Sequence, residues 1–206
     1  MAISADTDVV PARADRITIR VIAALTALLG VALAAGQVSR AVWMLTSPEV
    51  TVRLLTDQAV PTVRDTAVTA SIDTISVTTD LVTSSRVLFA VGAVVLALTA
   101  LVVALAVTWL LWSVASGMPF PLALWRVTVA AGFALTLGPL IAAAADGFGT
   151  MEAASSVNEA LGGILLVGWG IDEWGFAIPL VGLAVLALGY IFQAVHRMQR
   201  DTEGLV

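Results

Sequence analysis

The sequence predicts an all-α membrane protein: a four-helix transmembrane bundle with both ends of the chain cytoplasmic and a small β-prone extracytoplasmic loop between the first two spans. Three observations carry that prediction. Of the 206 residues 59% are hydrophobic and only 12% charged, and the mean hydropathy is +0.99, too apolar for a water-soluble domain to hide. The charges that exist are confined to the edges of four apolar runs, each near the roughly 20 residues that a helix needs to cross a hydrocarbon core of about 30 Å. The six tryptophans all fall near the predicted ends of those runs, where an indole keeps its ring in acyl chain and its N–H in water.

The first span is placed at 19–42, on the charge-free stretch VIAALTALLGVALAAGQVS between Arg20 and Arg40. Ala32-Leu33-Ala34 imitates a signal-peptide cleavage site. The apolar run continues past it to Val38, and Asp6, Asp8 and Asp15 precede it, so an uncleaved span is expected. The second span, 87–113, ends on Trp109 and Trp112. The third, 124–146, holds Pro139 after Gly138, which predicts a kink with the freed carbonyl satisfied by a neighbouring helix. The fourth, 175–196, has Pro179 in its first turn, where a missing N–H costs little.

Orientation follows from Arg, since all ten basic residues are Arg. Arg13, Arg16, Arg20, Arg126, Arg197 and Arg200 flank one side. Arg40, Arg53, Arg64 and Arg86 surround the first long loop, 47–85, and the second, 147–174, has no basic residue. The first side is therefore assigned to the cytoplasm. In the first loop VTVRLL (50–55), AVTASI (67–72) and TISVTT (74–79) alternate and are β-branched, which predicts a hairpin with Pro61 in its connection. Such a pair is marginal alone and must pack on the helix ends or on another protein. GGILLVGWG (162–170) is too short to span. It is read either as an interfacial or partly re-entrant segment anchored by Trp169, or as an apolar lid on the tops of the helices.

The residue inventory limits the chemistry. The absence of cysteine excludes disulfides, thiol nucleophiles and cysteine-ligated metals. His196 is the lone histidine, expected as an interfacial residue at the carboxyl end of its helix. A net charge of −5 without a clustered basic face argues against nucleic-acid binding. No ionisable residue falls in the middle of a span, which argues against ion-coupled transport. Thr26, Thr99, Thr108, Thr128 and Thr136 are expected to bond back to their own helices, with Gln37 and Gln193 near opposite ends. Asp146, Glu152, Glu159, Asp172 and Glu173 would converge to bind a cation if the second loop folds over, but acidic external loops are also what positive-inside topology leaves behind. Small pairs at four-residue spacing, Gly30/Ala34, Ala93/Ala97, Ala130/Ala134 and Gly138/Ala142, permit close helix approach. The runs from Phe89 (FAVGAVVLALTAL) and Phe176 (FAIPLVGLAVLAL) hint at duplication. No catalytic, cofactor or metal residue is assigned.

The connection SGMPFPLALWRVTVAAG and the ending MQRDTEGLV, with four spans and a β-prone first loop, resemble a bacterial family of integral membrane proteins catalogued as domain of unknown function 2975. The G-x-P-F turn of that family corresponds to Gly117, Pro119 and Phe120, and its following Arg to Arg126. Actinobacterial members often end in an acidic tail like 201–206, and many members carry Asn where this chain has Leu124. The resemblance implies a multi-pass bacterial inner-membrane protein without assigned activity, often encoded beside a small helix-turn-helix regulator. The expected role is therefore non-enzymatic: a sensor, scaffold or regulatory partner whose contacts are the lipid bilayer and a cytoplasmic regulator. The alternative is a small-solute transporter or channel subunit with a cavity at the Gly138-Pro139 kink.

Overall fold

In the computed structural model, residues 13–59, 71–116, 122–168 and 176–203 are described. The apolar runs form α1 (Arg13–Thr46), α2 (Thr83–Ala115), α3 (Leu122–Val157) and α4 (Ala177–Glu203), and the first loop supplies β1 (Val50–Ala59) and β2 (Ser71–Thr79). Three helices, α1 to α3, are long and apolar enough to cross a membrane; α4 carries a shorter apolar stretch, Ala177–Ile191. At 1.5 Å per residue α1, α2 and α3 are about 50 Å long, so each exceeds a hydrocarbon thickness of about 30 Å. The greatest excess is in α3, which runs eleven residues beyond Asp146 to Val157. The start of the predicted second loop is thus helical. Pro139 lies inside α3, which continues through it as one helix.

Each helix packs chiefly on its neighbour in sequence, α1 on α2, α2 on α3 and α3 on α4. The seams are built from very small residues. A Cβ at Gly30 would overlap that of Ala104, and one at Gly138 would overlap the Thr99 hydroxyl. Ala23, Ala34, Ala41, Ala93, Ala97 and Ala142 are buried, whereas Leu28, Leu29 and Leu105 are 68%, 61% and 67% exposed. That distribution inverts the pattern of a water-soluble protein. In lipid, large apolar side chains gain nothing by leaving the surface, and close backbone approach supplies the packing energy. Of the small-residue pairs, Ala130/Ala134 does not act as read: Ala130 is exposed, whereas the adjacent Ala131 and Gly132 are buried, Gly132 against Leu186 of α4. Four-residue spacing cannot by itself say which of two adjacent small residues faces the seam.

Beyond the seams the logic reverses. Met44, Val50, Val52, Leu54, Leu81, Phe89, Ala153, Ala154 and Leu165 form one buried cluster, with Leu54 and Val50 fully enclosed. The hairpin is therefore a cap with a conventional apolar core, seated on the ends of α1, α2 and α3. β1 and β2 pair antiparallel, Val50 opposite Thr79 and Leu54 opposite Ile75, until a bulge between Leu55 and Gln58. At the bulge Thr56 turns to the other side and bridges Leu165. The Leu166 N–H donates to the Leu55 carbonyl at 2.9 Å, and the Thr56 hydroxyl donates to the Ile164 carbonyl at 2.9 Å. Gly162 and Gly163, with φ of 74° and 82°, make the turn that brings this segment back from α3. Within 162–168 the segment is thus the apolar lid; Trp169 and Gly170 lie outside the described residues. So do Pro61, residues 67–70, the 117–121 turn with Pro119 and Phe120, and Asp172, Glu173 and Trp174.

Candidate functional site

The capped end concentrates the polar groups that the apolar helices lack. Arg86, in the first turns of α2, is its centre, with a side chain only 12% exposed. Its Nε donates to the Leu81 carbonyl at 3.0 Å, one terminal nitrogen to the Ser47 carbonyl, and the other to the Pro48 carbonyl at 2.8 Å and to Asp80 Oδ1 at 2.7 Å. Ser47 and Pro48 leave α1, and Asp80 and Leu81 leave β2. One guanidinium therefore ties together three chain segments. Its charge also lies against the carboxyl end of α1, where the helix dipole favours a cation. Arg is suited to this because its five donors are fixed in a planar fork.

A second polar group lies lower in the layer. Asp146 of α3 passes Gly92 of α2, where an added Cβ would lie 2.9 Å from Asp146 Oδ1 and 3.2 Å from the Ala142 carbonyl oxygen. It ends 3.8 Å from Arg40 of α1. Asp146 Oδ1 and Gln37 Oε1 are both buried without a hydrogen-bond partner. At the cap, the Ser84 hydroxyl is bonded to the Glu152 carboxylate. Glu152 also borders a shallow groove of about 560 Å³ with Leu88, Phe148, Met151, Ser155 and Val167. An open cleft of about 490 Å³ adjoins Arg86 between Leu45, Asp80, Leu81, Val82 and Thr83.

The sequence-selected polar residues mostly take the expected local bonds. Thr26, Thr99 and Thr136 donate to the carbonyls of Ile22, Val95 and Gly132, four residues earlier. Thr108 differs, donating at 3.4 Å across the seam to the Ala23 carbonyl of α1. Of the five carboxylates that the sequence groups around the second loop, Asp146 and Glu152 are drawn into separate contacts, to Arg40 and Ser84. Among the described residues no group of three or more His, Cys, Asp or Glu is placed to hold a metal ion. The His196 side chain lies outside the described residues. Beside Gly138 the space is filled by Thr99. No family model, no curated protein and no solved structure matches this chain.

Sequence reasoning treated Arg40 and Arg86 as boundary markers and Asp146 as a boundary and a member of an acidic group, and it missed their partners. One signal was available: Gly92 is four residues before Leu96, inside a strongly apolar helix, without a turn to require it. An interior glycine in such a helix marks close approach by a neighbour.

Proposed function

We propose that this chain is a four-span bacterial inner-membrane protein, with both ends cytoplasmic, that works without catalysis as a sensor, scaffold or regulatory partner. The observation that carries the membrane reading is the inversion of burial, small residues in the helical seams and leucines outside, against a conventional core in the cap. The regulatory reading is supported by the cap's construction: β1, β2 and the lid share one core with the ends of α1, α2 and α3, and Arg86 of α2 ties the segments that leave α1 and β2 to each other. A change at the cap therefore acts on three helices together. The resemblance to domain of unknown function 2975 adds a small cytoplasmic helix-turn-helix protein as the partner. The solute-carrier alternative draws no support at Gly138-Pro139, where Thr99 fills the seam.

Two experiments test this. The chain has no cysteine, so Thr51→Cys in the hairpin and Ser116→Cys at the opposite end of α2 are unique labels. A membrane-impermeant maleimide is expected to reach the first in intact cells and the second only after lysis; the reverse pattern overturns the orientation. Crosslinking in intact cells and purification from native membranes is expected to recover a small DNA-binding protein. Repeated recovery of the chain alone, with no transcript changed on deletion, overturns the regulatory role.

A further inference from the structure

We propose that the helical layer, just below the cap, binds the headgroup of a zwitterionic phospholipid whose amine is primary, with Arg40 holding the phosphodiester and Asp146 the ammonium. The inference rests on the membrane reading above and deepens it by naming one lipid class and the two residues that select it.

Helix packing brings both residues to one furrow. α1 and α3 each pack on α2 rather than on one another. On α2, Ala93 and Ala104 meet α1, through Ala41 and Gly30, while Gly92 and Thr99 meet α3, through Asp146 and Gly138. Leu96 follows both Gly92 and Ala93 by one turn, so it lies between the two contact faces, as does Ala100 a turn further on. Both are half-buried and floor the furrow. Arg40 and Asp146 close over it from opposite walls, 3.8 Å apart.

Depth follows from the length of α1. The Arg20 guanidinium lies over the exposed Trp112 ring, 5.6 Å from its centroid, an arrangement suited to the membrane–water interface. From Arg20 to Arg40 α1 is continuous, and at 1.5 Å per residue the two are about 30 Å apart, one hydrocarbon thickness. The Arg40–Asp146 pair therefore lies at headgroup level in the leaflet on the cap's side. Leu33 and Leu29, two and three turns before Arg40, are exposed, an apolar path for an acyl chain toward the bilayer centre.

Chemistry selects the headgroup. At 3.8 Å the ion pair is too long for a hydrogen bond, and both side chains are partly exposed, so it is open to a competitor. Asp146 Oδ1 is buried without a donor, as is Gln37 Oε1 one turn before Arg40; such oxygens forfeit a hydrogen bond that water supplied in the unfolded chain. The last torsion of a carboxylate is soft, so Asp146 turns to meet an entering donor. A cation alone is opposed by Arg40, and an anion alone by Asp146. A headgroup with both charges, joined by a two-carbon bridge, meets each with its opposite. The guanidinium fork suits phosphate oxygens, and a primary ammonium carries three N–H donors. A choline headgroup has the same charges and no N–H, and a glycerol headgroup has no cation.

The test uses the full chain in detergent, with dioleoyl phosphatidylethanolamine, its N-methyl and N,N-dimethyl forms and dioleoyl phosphatidylcholine as probes, read by thermal unfolding and by adducts retained in native mass spectrometry. Phosphatidylethanolamine is expected to bind about tenfold more tightly than phosphatidylcholine, with affinity falling at each methylation. Asp146→Asn, nearly isosteric, should bring the two lipids level in a protein that still unfolds cooperatively. Arg40→Gln should weaken both lipids severalfold and keep part of the preference; Asp146→Asn decides the matter if the Arg variant does not fold. Equal binding by the parent chain, or an unchanged preference in Asp146→Asn, overturns the site. Tighter binding of dioleoyl phosphatidylglycerol overturns the zwitterion as its occupant, and displacement by millimolar glycerophosphoethanolamine overturns the lipid as its source. Release of the chain from membranes by alkaline carbonate overturns the membrane reading itself, an outcome separate from loss of lipid selectivity.

Discussion

Arg40 of α1 and Asp146 of α3 pair across α2 at the one point where Gly92 leaves room for a carboxylate to pass, with Nη2 and Oδ2 3.8 Å apart. Both side chains retain partial exposure, 41% and 33%, so the pair is a modest electrostatic tie whose position depends on a missing side chain. A bulky residue at position 92 would meet both Asp146 and the Ala142 carbonyl. Gly92→Val is therefore expected to lower the unfolding temperature in detergent more than Asp146→Asn does. Asp146→Asn alone should cost about 1 kcal/mol or less, and a double-mutant cycle with Arg40→Gln reads the coupling directly.

The inverted burial makes a paired prediction. Gly30→Val, at the Ala104 contact, should disrupt the α1/α2 seam and cost about 1–3 kcal/mol, the range of overpacked cores. Leu28→Ala, two residues away but 68% exposed, should change stability by about 0.5 kcal/mol or less. Thermal unfolding of both variants in the same micelle checks the pair; equal losses would mean that the exposed face packs against protein.

The cap should behave as an ordinary apolar core. Leu54 is fully buried in the cluster with Val50, Leu81 and Leu165, so Leu54→Ala is expected to cost about 2–5 kcal/mol. Limited proteolysis should then cut between β1 and the lid at protease levels that leave the parent chain intact.

Arg86 joins the ends of α1 and β2 through four acceptors. Arg86→Gln leaves carbonyls and a carboxylate without their donor and should cost about 3 kcal/mol. Arg86→Lys keeps the charge but not the fork, and it should recover only a minority of the loss. The readout is cap proteolysis alongside the thermal midpoint.

Hydropathy located α1, α2 and α3 because each must present an unbroken apolar surface, and alternation located β1 because Val50, Val52 and Leu54 face one way while Thr51 and Arg53 face the other. What hydropathy did not reveal lies past the apolar runs. Residues 147–157 continue α3 into the cap, where an amphipathic mixture such as Gly147, Glu152 and Ala153 carries no span signal. The roles of Arg86 and Asp146 were hidden for a related reason: a charge at the end of an apolar run reads as a boundary, and its partners, Ser47, Pro48 and Gly92, are distant in sequence or carry no charge. The lid's pairing with β1 depends on a bulge at Thr56, which alternation alone does not mark.

Because the strand partner of Thr56 is Leu165, the cap is assembled from pieces separated by two whole helices. A nascent chain that has delivered only its first hundred residues has made both strands and still lacks the segment that closes over them. The extended hairpin must wait, with Val50 and Leu54 incompletely covered, until α3 has been laid beside α2 and its end has turned at Gly162. Closure of the cap thus reports that the first three helices have arrived in the right order, and a chain halted or misthreaded before that point displays an unfinished sheet edge to whatever surveys the membrane surface.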